Sequence, residues 1–289
     1  MFKVSLVVFA VLVVIGAGMV VHDKQNQPVI KSVAKTVAKK ISKVPSKVQI
    51  KAGLENSWKT ALANTKTPVD IAVYDHASGA TAHYTNVAAR TFSTASTMKL
   101  SILEALLLQD QDNGISGLTD TQLASAEPMI ENSNNDAATT LVVDAGGSSG
   151  MNSFFASIGA TSSTMGDHWG LTQTTALDQL KVVGQLAYPT KLNADAITAA
   201  NYLLDRVETD QRWGVSAGVP EGVTVRLKNG WLQDDDGSWI INSIGYVRGN
   251  GQDYTIAVYT DQNATEPVGI ATIELLSTAT WNYLSSLKR

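Results

Sequence analysis

The chain has 289 residues, 22 lysines and arginines against 26 aspartates and glutamates, a formal net charge of −4 and no cysteine. The missing cysteines exclude disulfides and lipid attachment at a cysteine, and no spacing of His, Asp and Glu resembles a metal site. No glycine-rich phosphate loop or dinucleotide fingerprint is present, so neither a metal nor an organic cofactor is expected.

The first element is an uncharged run of 18 residues, Val4 to Val21, behind Met1-Phe2-Lys3. As a helix it would reach about 27 Å, close to the thickness of a hydrocarbon core. Residues 1–21 therefore read as a cleaved signal or a retained membrane anchor, and either one sends the rest of the chain across a membrane. The end of the run, Gly16-Ala17-Gly18-Met19-Val20-Val21, stays apolar and offers no polar small-residue cleavage region, which points to a retained anchor.

Residues 22–51 carry eight lysines and one acid, Asp23, whereas residues 52–289 carry 13 basic and 25 acidic side chains. The acidic balance of the larger part speaks against a nucleic-acid partner. In the basic part Ile30, Val33, Val37, Ile41, Val44 and Val48 recur at steps of three and four, so a helix would set one apolar stripe against a lysine-rich face, with Pro45 as an interruption. The segment reads either as a stalk in contact with anionic lipid or wall polymer, or as a plain solvated tether.

Residues 52–289 suffice for one large or two small cores, with strands at both ends and helices between. Val69 to Tyr74 and Ala80 to Tyr84 form a predicted hairpin around Ser78-Gly79, and Val223 to Leu227, Trp239 to Val247 and Asp253 to Thr260 are predicted strands. Helices are predicted near Leu54 to Asn64 and over Val268 to Leu287. The expectation is an α+β fold in which these terminal helices flank a five-stranded antiparallel sheet (52–92 and 218–289), beside a helical half at 93–217.

Within the helical half, Ser96-Thr97-Met98-Lys99 opens the apolar stretch Leu100 to Leu108. Positions i and i+3 share a helix face, so the Lys99 amine can lie beside the Ser96 hydroxyl and take its proton, provided burial or neighbouring positive charge keeps the amine neutral. Ser133-Asn134-Asn135 follows 37 residues after Ser96, and Lys228-Asn229-Gly230 lies 95 residues beyond Ser133. The last triplet reads as a hairpin turn or as part of a strand; the alternation of Val223, Val225 and Leu227 favours the strand, with the turn at Asp234-Asp235-Asp236-Gly237.

These three elements, in this order, resemble the serine β-lactamase and penicillin-binding protein superfamily, with its S-x-x-K, serine-x-asparagine and lysine-threonine/serine-glycine motifs. Arg90-Thr91-Phe92 before the nucleophile and Thr172, Thr174 and Thr175 before Ala176-Leu177 extend the resemblance. It implies an acyl-serine hydrolase with Ser96 as nucleophile, Lys99 as base and Ser133 as a proton relay. Asn135 would bind the substrate amide, Lys228 would add positive potential, Gly230 would admit the substrate backbone, and the Ser96 and Trp231 N–H groups would form the oxyanion hole. Trp169-Gly170 and Trp213-Gly214 are expected to flank the cleft. The implied partner is a β-lactam or a cell-wall peptide, and the implied location is the extracytoplasmic face of the cell membrane, or outside the cell if the leader is cleaved.

Two departures qualify the resemblance. Asn229 stands where a threonine or serine would present a hydroxyl to a substrate carboxylate, and would have to offer its amide instead. Nothing between Gly159 and Leu171 is a glutamate, the residue that activates the deacylating water in class A enzymes; Asp167 and His168 are the only ionisable side chains there. Slow deacylation, as in a D-Ala-D-Ala peptidase or penicillin-binding protein, is the alternative within the enzymes, and a catalytically silent wall-binding module the alternative outside them.

Overall fold

The computed structural model describes residues 45–287. The apolar run Val4 to Val21 and most of the lysine-rich segment lie outside the described residues; among the described residues no helix is long and apolar enough to cross a membrane.

The fold begins with helix α1, Lys47–Ala61, just after Pro45. Ser46 caps it: its hydroxyl accepts from the Gln49 N–H while the Gln49 side chain accepts from the Ser46 N–H, a reciprocal capping box. Ile50, Leu54 and Trp58, one helical turn apart, are the buried face. This helix starts ahead of the predicted one because the local cap at Ser46 decides its first turn, and Val48 of the apolar stripe is left exposed.

The chain continues through β1 (Val69–Asp75), β2 (Ala80–Thr85) and β3 (Phe92–Ser93), then α2 (Met98–Asp112), α3 (Asp120–Glu131), α4 (Asn135–Asp144) and α5 (Gly147–Ser157). After these come β4 (Gln173–Thr174), α6 (Ala176–Ala187), α7 (Ala194–Leu204), β5 (Thr224–Gln233), β6 (Trp239–Gly249), β7 (Gln252–Asn263) and α8 (Glu266–Ser286). Five strands form one antiparallel sheet in the order β2-β1-β7-β6-β5, while β3 and β4 pair separately, Phe92 with Thr174 and Ser93 with Gln173.

Strand β1 is buried almost throughout, because α1 and α8 cover one face of the sheet and α6 the other. Trp58 Nε1 donates to Thr280 Oγ1 at 2.9 Å, joining α1 to α8. A methyl group at Gly53 would fall on the Tyr283 ring, so the two terminal helices meet at a glycine.

Helix α2 is buried around nearly its whole circumference from Met98 to Leu107. A helix that is apolar all round belongs in the interior, and α2 passes between the sheet part and the helices α3 to α7, packing against α4, α5, α6 and α7. Its N-terminus emerges beside the edge strand β5, where the predicted site residues lie.

Candidate active site

The turn that presents Ser96 is held from several sides. After β3 the chain enters a short 3-10 turn, Ala95–Thr97, with Ala95 in the left-handed region at φ 46°, a conformation an L-residue adopts only at a cost. Asn242 on β6 offsets that cost by donating to the carbonyls of Ser93 (2.8 Å) and Thr94 (3.1 Å). Thr97 Oγ1 donates to Thr94 O at 2.7 Å and lies 2.8 Å from the Tyr259 hydroxyl.

Lys99 sits three residues on, with its side chain fully buried. Its Nζ lies 2.9 Å from Ser96 Oγ, 3.0 Å from Ser133 Oγ, 2.5 Å from Ser133 O and 2.7 Å from Asn135 Oδ1. An ammonium has three protons for these four oxygens, whereas a neutral amine has two N–H groups and a lone pair. Ser133 O and Asn135 Oδ1 can only accept; they match the two N–H groups and leave the lone pair free to receive a proton from the Ser96 hydroxyl. Burial favours the same state, lowering the Lys99 pKa from 10.5 to about 7.

Ser133 reaches this position because it holds φ 60° in the bend between α3 and α4, while Asn134 caps α4 by accepting from the Ala137 N–H. Asn135, the first residue of α4, is exposed and gives only its Oδ1 to Lys99, which leaves its Nδ2 donors for a ligand. Over the amine lies Trp169, its ring centroid 5.0 Å from Lys99 Nζ and its indole N–H bonded to Thr139 Oγ1 of α4 at 3.1 Å. Asp167 and His168, beside it in sequence, are exposed.

Strand β5 forms the other wall. Lys228 is fully buried and donates to Asn229 O at 3.4 Å; burial first and the Lys99 charge second bring its pKa down to about 7. The triplet Lys228-Asn229-Gly230 is part of the strand, and the turn falls at Asp234 to Gly237.

Gly230 packs against the nucleophile turn: a Cβ there would lie 2.8 Å from Thr94 O and 2.9 Å from the nitrogens of Ser96 and Thr97. The glycine therefore admits the protein's own backbone, a tighter constraint than the expected approach of substrate. Val225 O accepts from the Arg212 side chain and Asn229 O from the Lys228 side chain. Strand alternation sets the Trp231 N–H on the same side of β5 as these carbonyls, one residue beyond the Gly230 that packs on the Ser96 turn.

Asn229 differs from expectation. Its side chain is buried and turned from the cleft, with Nδ2 donating to Gln211 O (2.9 Å) and Trp213 O (3.0 Å) and Oδ1 accepting from Ser243 Oγ (2.6 Å). Both donors are spent inside the protein. What Asn229 positions is the segment carrying Trp213, whose ring lies 6.1 Å from the Trp231 ring at 63°. Sequence reasoning passed over Asn242 and the inward turn of Asn229, since both depend on partners brought in by strand register. Among the described residues no group of three His, Asp or Glu side chains is arranged to hold a metal ion.

The profile described as the beta-lactamase enzyme family matches residues 121–284, which include Ser133, Asn135 and Lys228. No curated protein matches the chain by sequence. Solved structures do: the class A beta-lactamase of Bacteroides cellulosilyticus DSM 14838 is 19% identical, with a TM-score of 0.71 over 82% of this chain and 99% of that one. The TLA-3 extended-spectrum beta-lactamase is 17% identical, with a TM-score of 0.72 over 82% and 100%. For the class A beta-lactamase of Mycobacterium abscessus the values are 19%, 0.68, 81% and 100%. At these identities the likeness is one of fold, and it spans nearly the whole of each of those proteins.

Proposed function

The chain belongs to the beta-lactamase enzyme family, and from that premise we propose that it is a serine hydrolase that opens an amide, in a β-lactam or a cell-wall peptide, through an acyl-Ser96 intermediate that deacylates slowly. The observation that carries this reading is the buried Lys99 amine within 3.0 Å of both the Ser96 and the Ser133 hydroxyls.

Ser96 Oγ attacks the carbonyl carbon while its proton passes to Lys99 Nζ, and the oxyanion is met by the N–H groups of Ser96 and Trp231. As the C–N bond breaks, the leaving nitrogen takes a proton through Ser133 Oγ, which can draw on the Lys99 ammonium 3.0 Å away. The products of this half are an ester on Ser96 and a free amine, with Lys99 neutral again.

Release of the acyl group needs a water and a base to activate it. In the loop that passes over Lys99 the Trp169 indole covers the amine, while Asp167 and His168 are exposed. This supports a long-lived ester in preference to rapid turnover.

The pH dependence of acylation tests the proposal. Only neutral Lys99 accepts the Ser96 proton, so the acylation rate by a penicillin should rise roughly tenfold per pH unit below pH 7 and level off above about 7. A rate independent of pH across this range would remove Lys99 as the base.

A further inference from the structure

The face of the sheet under α6 carries a cavity that the chemistry at Ser96 does not use. Tyr74 on β1 stands opposite Thr81 of β2 and Thr255 of β7 in the strand register, so these side chains form one row across three strands. Leu177, Leu180 and Gly184 of α6, with Tyr188 at its end, follow at steps of three and four, one stripe of the helix. Row and stripe enclose about 360 Å³. The cavity lies at the β2 side of the sheet, whereas the Ser96 cleft lies at the opposite edge strand, β5.

Close packing of a helix on a sheet normally leaves no such space. Here Gly184 holds it open: a Cβ at this position would meet no atom within 4 Å, although glycine is unfavourable inside a helix. The aromatic wall is fixed by the protein's own contacts. Tyr74 and Tyr188 meet edge to face at 5.6 Å and 77°, His76 stacks on Tyr188 at 4.2 Å and 9°, and the Tyr188 hydroxyl donates to Asp253 Oδ1 at 2.6 Å.

The polar groups of the lining are few. Thr255 is 1% exposed, and its Oγ1 has no hydrogen-bond partner among the described residues, a state that buried hydroxyls seldom keep. The Lys181 amine pairs with Asp178 at 2.9 Å and also donates to Gly159 O. Its charge is thus already matched by a carboxylate.

We propose that this cavity binds a small uncharged aromatic molecule, with its ring between the two leucines and the two tyrosines and a hydroxyl or N–H group on Thr255 Oγ1. The volume falls within the range of about 300–1,000 Å³ usual for ligand sites. Leucine and tyrosine walls favour a ring through apolar burial and edge-to-face contact. The site is independent of the acyl-Ser96 reading and stands or falls without it.

The test is fluorine NMR titration of the full chain with 4-fluorophenol, fluorobenzene and 4-fluorobenzoate. The first two should bind saturably, 4-fluorophenol with a Kd below about 1 mM and about fivefold tighter than fluorobenzene. Gly184→Leu fills the space and should weaken both at least tenfold, with a urea midpoint no lower than the parent's. Thr255→Val keeps the side-chain shape and should abolish the preference for the phenol while leaving fluorobenzene unchanged. No saturable binding of either neutral probe, binding undiminished in a folded Gly184→Leu, or a phenol preference that survives Thr255→Val would overturn the inference. So would 4-fluorobenzoate binding more tightly than 4-fluorophenol.

Discussion

At the scale of single residues, the site depends on side chains that serve other parts of the protein. Asn229 closes three hydrogen bonds in the interior. Asn229→Leu would leave the part-buried carbonyls of Gln211 and Trp213 without this donor and the Ser243 O–H without its acceptor, a loss of about 2–4 kcal/mol, to be read from urea unfolding; an unchanged midpoint would contradict the assignment. Trp169→Ala would uncover the Lys99 amine. The acylated protein should then lose its label faster, and the pH midpoint of acylation should move above about 7 as the amine regains hydration. If both stay as in the parent, the indole has no such role. Ser96 and Lys99 were readable from an i, i+3 spacing, and the structure gathers Ser133 and Asn135 around the same amine. The direction of Asn229 was not readable, because its partners are contributed by a segment that only the folded edge of the sheet brings alongside.

Among the elements, α2 joins the site to the core. It delivers Lys99 at one end and, one turn and a half further along, buries Glu104 with neither carboxylate oxygen bonded to a protein group. Burial holds this carboxyl well above the usual carboxylate range. The unfolded chain loses that proton above about pH 4.5 while the folded chain keeps it, so this residue makes stability fall as pH rises. Glu104→Gln should therefore gain on the parent as pH is raised from about 4 to 7 in denaturant titrations; parallel curves would contradict this. The sheet strands were legible because runs rich in Val, Ile, Tyr and Trp lie between turn residues, Ser78-Gly79, Asp234 to Gly237 and Gly249 to Gly251. Strand β5 runs through Lys228-Asn229-Gly230 to Gln233, as the alternation of Val223, Val225 and Leu227 favoured, and its polar triplet is buried by the Ser96 turn and by the segment around Trp213. Helix α1 was placed too late in the chain because its Ser46-Gln49 cap lies inside a lysine-rich stretch that reads as tether.

For the molecule as a whole, the junction between the sheet and the helical half encloses two lysines whose pKa values fall from 10.5 to about 7. Between those values the unfolded chain holds protons that the folded chain has released, so stability rises with pH from about 7 towards 10. Above 10 the buried Tyr254 and Tyr259, both pushed upwards by burial, reverse the trend because only the unfolded chain ionises them. In the Glu104→Gln background the unfolding free energy should thus peak near pH 10, and Lys228→Met should flatten the rise; a rise that survives this substitution unchanged would remove Lys228 from the account. The two-part architecture was legible from the order of strands and helices, whereas the sheet order β2-β1-β7-β6-β5 was not, because the pairing of β1 with β7 joins segments almost two hundred residues apart. The central claim, an acyl-Ser96 that forms readily and leaves slowly, is tested most directly by the intact mass of the protein followed over time after mixing with a penicillin. The account predicts an adduct of one drug molecule that persists, maps to Ser96 and is absent in Ser96→Ala; no adduct and intact drug, or an adduct that Ser96→Ala retains, would contradict it.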